Sequence, residues 1–271
     1  MAQQGMFYLF ADCWLLVGTL PANRPHRHVS ASLLWGLDKP FDLQIDGQWH
    51  RQEAALVAPD VHQALDPRDG RMLVVQLEPD AAPWLSLAAT GLDWQWRPIT
   101  PPDELRRLLL DLPATSDCIQ ARECLRTLAA LLVDNGQSNN VPQHAHPMQI
   151  HSGQIDPRIV SVADNLRTQL PEKLDITQLA ASVGLSGSRL RHLFRERTGT
   201  TLKRFLLHLK LRAALASWQP GMSLSALAVE AGFYDQPHLV RTAREMFDAL
   251  PSLYISEGNF RINRCQGRFS W

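Results

Sequence analysis

The sequence predicts an α+β protein, with a β-rich N-terminal domain that ends in two helices and an all-α C-terminal domain. Three observations carry that expectation. Short apolar and aromatic segments crowd the first hundred residues, a 3.6-residue periodicity replaces them further on, and the charge divides between the two halves. The 271 residues have no formal net charge, yet residues 1–154 hold 11 Lys and Arg against 17 Asp and Glu, whereas residues 155–271 hold 16 against 10. Opposite charge on the two halves implies different partners for them.

In chain order, "FYLF", "CWLLVGTL", "VSASLLWGL", "FDLQI", "AALVAP" and "RMLVVQLE" read as strands, separated by turn signals such as "LDKP", "DGQ" and "PRDGR". Many short strands in succession suggest a sandwich or a barrel. Two helices follow. "PPDELRRLLLDL" opens with prolines ahead of Asp103, and "TSDCIQARECLRTLAALLVDNG" sets Ile119, Leu125, Leu128, Leu131 and Leu132 near one face. The pair either packs on the β domain or forms a seam between subunits.

Residues 135–154, "NGQSNNVPQHAHPMQIHSGQ", have no period and are rich in Asn, Gln, Ser, Gly and Pro, which marks a linker. The expected division is therefore a first domain over 1–135, a linker over 136–154 and a second domain over 155–271. His144, His146 and His151 read as polar linker residues rather than metal ligands. No apolar run reaches the roughly 18 residues a bilayer span needs, and "MAQQGMFYLF" lacks a basic leader, so a cytoplasmic protein is expected. Cys13, Cys118, Cys124 and Cys265 form no CxxC pair and read as reduced thiols.

Beyond the linker, Asp156 and Pro157 open a helix, and everything after it reads as helical. An internal repeat follows. "TQLAASVGLSGSRLRHLFRERTG" and "SALAVEAGFYDQPHLVRTAREMF" share a short helix with a small residue, Ala180 or Ala228, and a glycine, Gly184 or Gly232. An apolar corner residue comes next, Leu185 or Phe233, then a polar turn and a longer helix. This is the plan of a helix-turn-helix. In the first long helix Leu190, Leu193 and Phe194 belong to the core, which turns Arg189, Arg191, His192 and Arg195 outward; in the second, Leu239, Ala243 and Phe247 do so and expose Gln236, His238, Arg241 and Arg244. Arg, Gln and His are residue types that read base edges or hold phosphates, and "TTLKRFLLHLKLRAALASW" is the helix expected to hold the two readers about one DNA turn, roughly 34 Å, apart.

Residues 156–257 resemble the DNA-binding domain of the AraC/XylS family of bacterial transcription regulators, through "LAASVGLSGSRLRHLFRERTG", "LKLRAA" and "GFYDQPHLVRTAREMFDALPSLY". The resemblance implies Ser188, Arg191 and His192 as base-facing positions of the first recognition helix and Gln236, Pro237 and Arg241 of the second. Arg189, Arg195, His238 and Arg244 flank them as phosphate or edge contacts. Two residues depart from the family pattern: Ala243 stands where an aromatic is common, and Asp248 where a glycine is common.

The same resemblance implies a cupin-like barrel in the first domain, serving effector binding or dimerisation. "RPHRHVSASLLWGLDKPFDLQIDGQWHRQEAALVAPDVHQAL" is similar to the His-rich entry strand, hairpin turn and strand end of such domains. His26, His28, Trp35 and His62 are then the effector-lining candidates. The His26, His28 and His62 imidazoles are also the metal candidates, but the carboxylate that metal-binding cupins place after HxH is absent from "VSASLLW". The function implied is a sequence-specific, non-enzymatic regulator of transcription without a cofactor. Its partners would be double-stranded promoter DNA, a small-molecule effector, a second copy of itself and, for an activator, RNA polymerase, with no membrane. The competing reading is a cupin-type metal-dependent enzyme or metal sensor fused to a DNA-binding domain.

Overall fold

The computed structural model describes residues 5–81, 84, 95–115, 117–135, 156–219, 221–248 and 260–266. The linker with its three histidines, Trp94 and the side chains of Leu131 and Leu132 lie outside the described residues.

The first domain is built from β1 (Gly5–Leu9), β2 (Cys13–Thr19), β3 (His26–Arg27), β4 (Ala31–Gly36), β5 (Phe41–Ile45), β6 (Gln48–Gln52), β7 (Ala54–Val57), β8 (His62–Asp66), β9 (Arg71–Leu77) and β10 (Trp96–Pro98). It continues into helices α1 (Asp103–Thr115) and α2 (Cys118–Asn135). One sheet has the order β10-β7-β4-β9-β2-β1, the other β3-β8-β5-β6. Among the described residues the two sheets do not hydrogen-bond into a closed barrel.

Strands β2, β4 and β9 are buried on nearly every residue, so they read as continuous apolar runs rather than alternating ones. One layer over them is the second sheet, through Phe41, Leu43, Ile45 and Leu65; another is α1 and α2, through Leu105, Leu109, Leu112, Leu125 and Leu128. The Tyr8 hydroxyl donates to Leu112 O at 2.9 Å. Arg106 lies over the Trp35 ring at 5.3 Å and donates to Gly36 O and Leu37 O. The two helices thus pack on the sheet, and they leave Leu108 and Ile119 exposed. The "IDG" turn closes the β5–β6 hairpin, with Asp46 and Gly47 both at positive φ (47° and 86°), the backbone of a tight two-residue turn.

The second domain comprises α3 (Pro157–Gln169), α4 (Ile176–Ser182), α5 (Gly187–Thr198), α6 (Leu202–Ser217), α7 (Leu224–Glu230) and α8 (Gln236–Phe247). Each has a side-chain N-cap, in order Asp156, Asp175, Ser186, Thr201, Ser223 and Asp235. Caps of this kind contribute about 1 kcal/mol apiece, which matters most for the seven-residue α4 and α7. Among the described residues no helix is long and apolar enough to cross a membrane.

Two expectations are corrected here. The chain after the linker is not wholly helical: Phe260–Arg264 form β11, which pairs in parallel with β1 and makes a seventh strand in the first sheet. The alternation in "FRINR" is too short to be told from a loop, and its partner lies more than 250 residues away in sequence, from Phe260 to Gly5. Nor are all four cysteines reduced: Cys118 and Cys265 form a disulfide across 147 residues, while Cys13 and Cys124 are free and buried.

Between the domains, Glu78 at the end of β9 is fully buried. Its Oε1 accepts from His208 Nε2 at 2.8 Å and Arg212 Nη1 at 2.7 Å, both on α6. Burial alone would raise this carboxyl, but the His208 and Arg212 charges outweigh it and hold the pKa at about 2. Beside it Arg167 of α3 pairs with the buried Asp80, and at the rim Arg204 reaches Asp60 and Arg24 grips Asp248. Replacing Glu78 by Gln should lower stability in chemical denaturation by about 3–5 kcal/mol, the effect of breaking a buried pair. A loss under about 1 kcal/mol, the scale of an exposed pair, would mean that water reaches the cluster.

Candidate nucleic-acid interface and interdomain cavity

The two repeats fold alike. Gly184 and Gly232 take φ of 67° and 73°, and the next residue donates back in each copy, Leu185 N to Ala180 O at 2.9 Å and Phe233 N to Ala228 O at 2.8 Å. The glycine is required because an L-residue strains at that φ. The rotation of α5 is set by buried Leu190, Leu193 and Phe194, the last against Phe205 at 5.3 Å. Ser188, Arg189, Arg191, His192 and Arg195 consequently face solvent, and His192 lies 3.7 Å from Glu196 one turn on. On α8, Leu239, Thr242, Ala243 and Met246 are buried, Phe247 is half-buried, and Pro237, Arg241 and Arg244 are exposed.

Gln236 and His238 are half-buried. The Ser225 hydroxyl donates to Gln236 Oε1 at 2.8 Å, and His238 meets Phe233 edge-on at 5.3 Å. The side chains of Arg189, Arg191, Arg195, Arg241 and Arg244 make no ion pair with the described residues, so their charge is free for a ligand.

An open groove brings Ser188, Arg191, His192 and Arg195 of α5 together with His238 of α8. It is also lined by Lys173, in the turn before α4, and Lys203, on α6. Sequence reasoning missed both lysines, since neither belongs to the helix-turn-helix period; a basic residue in the turn ahead of the first unit is the available signal.

Residues 179–257 match the family model described as a helix-turn-helix domain. The curated regulator GbdR of Pseudomonas aeruginosa is 26% identical over 131 residues, which is 48% of this chain and 36% of that protein. The chain therefore spans little more than a third of the curated relative it matches. These residues form an AraC/XylS-type helix-turn-helix domain. Beyond the AraC-type domain, the fold as a whole is similar to that of ToxT from Vibrio cholerae O395, with a TM-score of 0.59 at 8% identity over 89% of this chain and 96% of that one. The unsaturated fatty acid-bound form of ToxT gives a TM-score of 0.58 at 10% identity, covering 89% of this chain and 94% of that one.

A cavity of about 110 Å³ lies between the β domain and the AraC-type domain. Its apolar walls include Trp14, Leu34, Leu211, Leu239, Ala243 and Phe247, and its polar side is His26, His28, Asn23, Gln63 and Gln76. Ser30 and Ser32, both buried, hold the two glutamines: Ser30 Oγ donates to Gln76 Oε1, and both glutamine amides donate to Ser32 Oγ. Of the four effector candidates, His26 and His28 line this cavity and Trp35 and His62 do not. Trp35 is corrected: it is fully buried in the sheet core beneath Arg106. Among the described residues no group of three His, Cys, Asp or Glu is placed to hold a metal.

The imidazole chain has a fixed sense. His26 Nδ1–H donates to Arg24 O at 2.8 Å, so His26 Nε2 accepts from His28 Nε2–H at 2.9 Å. His28 Nδ1 is left as a shielded acceptor without a partner among the described residues. Burial pushes both imidazoles below their ordinary 6.5, with His26 and His208 adding to the fall at His28. Below pH 6.5 the unfolded chain thus binds more protons than the folded one, and stability falls as pH drops through that window. The Glu78 contribution is instead lost only below its ordinary 4.5. Between pH 7 and 5, His28→Gln, which keeps a donor for His26, should show a smaller fall in melting temperature than the parent; equal slopes would contradict this assignment.

Proposed function

We propose that the protein is a sequence-specific, DNA-binding transcription regulator whose N-terminal domain tunes DNA binding through a small molecule held at the domain interface. The observation that carries the DNA reading is the pair of recognition helices whose cores are locked and whose outward arginines are unneutralised. Arg191 and His192 on α5 and Arg241 and Gln236 on α8 are the base readers, with Ser188 and Pro237 against the base edges. Arg189, Arg195, His238 and Arg244, joined by Lys173 and Lys203, hold phosphates.

The test is selection of bound sequences from a random duplex library, followed by affinity measurement. Arg191→Ala and Arg241→Ala should each cost about 1–3 kcal/mol on the selected site and relax preference at one position. Lys203→Ala should weaken all sequences alike and reduce the salt slope by about 1. Arginine variants that bind like the parent would contradict the assignment.

The cavity supports the effector reading. Among the described residues no Lys, Arg, Asp or Glu lines it, so the fitting chemistry is a small molecule with an apolar body and a hydrogen-bonding head placed against His28, Gln63 and Gln76. At about 110 Å³ it is smaller than the roughly 300 Å³ of ordinary ligand pockets, so a larger ligand widens it by parting the domains. ToxT, the structural relative, was solved bound to an unsaturated fatty acid, which shares the apolar body but has an acid head for which the described lining holds no Lys or Arg. Ala243→Phe fills the cavity and should abolish a small-molecule response in a DNA-binding titration while the ligand-free affinity persists. A variant as responsive as the parent would place the ligand elsewhere. Exposed Leu108 and Ile119 on the packed helix pair are the surface we assign to self-association.

A further inference from the structure

The Cys118–Cys265 bond ties the first residue of α2 to the residue that follows β11. Strand β11 touches both domains. Its backbone pairs with β1 from Gly5↔Phe260 to Leu9↔Arg264, Cys265 N donates to Leu9 O at 2.8 Å, and Phe260 packs on Phe7 at 5.5 Å. On the other side the Arg264 guanidinium donates to Ala216 O and, at 2.5 Å, to Trp218 O, the exposed carbonyls at the C-terminal end of α6. The helix that joins the two DNA readers is therefore capped by a strand held on the β domain, and the disulfide fastens that strand's end.

We propose that Cys118–Cys265 is a thiol–disulfide exchange site, whose reduction by a small-molecule or protein thiol frees β11 and loosens the hold on α6, so that the reduced protein binds DNA more tightly. The geometry gives the exchange a direction. Cys118 is half-exposed and Cys265 is buried, so an incoming thiolate reaches Cys118 Sγ. A new S–S bond forms there as the Cys118–Cys265 bond breaks, and the electron pair leaves on Cys265 Sγ, which takes a proton.

A second thiol then attacks the mixed disulfide. Two external thiols end as one disulfide, and their two electrons and two protons end on Cys118 and Cys265. Arg122, one turn along α2, donates to Gln266 O, the carbonyl of the residue after Cys265, and so fastens the segment that carries the leaving sulfur. Cys118 sits where the α2 dipole favours a thiolate, opposed by the Asp117 carboxylate that caps Ile119 N at 2.7 Å. The two other cysteines do not compete. Burial raises the Cys124 thiol to about 11 and takes Cys13 well above its usual range.

The test equilibrates the full-length protein with mixtures of reduced and oxidised glutathione, then counts thiols by mass after alkylation and follows hydrogen exchange. The expected result is a gain of exactly the two labels on Cys118 and Cys265 within the glutathione range, with loss of slow exchange at residues 260–264 and 216–218. On DNA chosen by the library selection, the reduced form should bind more tightly than the oxidised form, and Cys118→Ser should match the reduced parent. A bond that persists in reduced glutathione alone, or one that opens with β11 exchange unchanged, overturns the exchange site. Equal affinities of the two states overturn its link to DNA binding. The thiol count and exchange data stand without any DNA, so failure of the DNA reading is separable from failure of this one.

Discussion

The structure depends on one carboxylate in the wrong place for a lone charge. Glu78 follows a largely apolar strand and has no exposed surface, and His208 and Arg212 of α6, with the Arg167 charge of α3 behind them, make its ionised form tenable. Because α6 carries both helix-turn-helix units, a grip on α6 is a grip on both readers. The pairing also sets a modest barrier to opening. When the domains part, Glu78, His208 and Arg212 are rehydrated, and hydration returns much of what the ion pair supplied. An apolar seam of the same size would hold the domains more firmly. A charged one is suited to the interdomain control proposed above.

The two departures from the family pattern fall on the same seam. Asp248 occupies a left-handed C-cap, φ 46°, where glycine would be unstrained. Its carboxylate instead accepts from the Arg24 backbone N–H at 2.6 Å and from the guanidinium at 2.8 Å, which glycine could not do. Ala243 lacks the ring that would fill the space beneath α8, and that space is the cavity wall. The second unit is thus shaped to meet the β domain.

Much of this was legible because it is local. Capping residues, the glycine corners and the i, i+3, i+4 pattern act within a few residues, so α3 to α8 and the outward arginines follow from the sequence directly. The α+β division, the helices α1 and α2 and the "IDG" hairpin are legible for the same reason, whereas sequence leaves the seat of the helix pair open between the β domain and a subunit seam. What sequence could not show is long-range. The β1–β11 pairing and the disulfide join segments that no local signal connects, and Glu78 ends "RMLVVQLE" as a solvated strand terminus would. Trp35 illustrates a different limit: a residue's place in a strand that is apolar throughout does not say which face its ring takes, and this one belongs to the core. His26 and His28 share a neighbourhood as the HxH spacing suggests, yet three of their four nitrogens are spent on Arg24 and on each other, and His28 Nδ1 alone has no partner among the described residues.

The central claim is that α5 and α8 enter successive major grooves on one face of a duplex while α6 holds their spacing. Methylation-interference footprinting of the full-length protein on a selected site tests it most directly. The account predicts two clusters of sensitive guanine N7 positions, centred about one helical turn, roughly 10 base pairs, apart on the same face. A single cluster, or sensitivity confined to the minor groove, would contradict it.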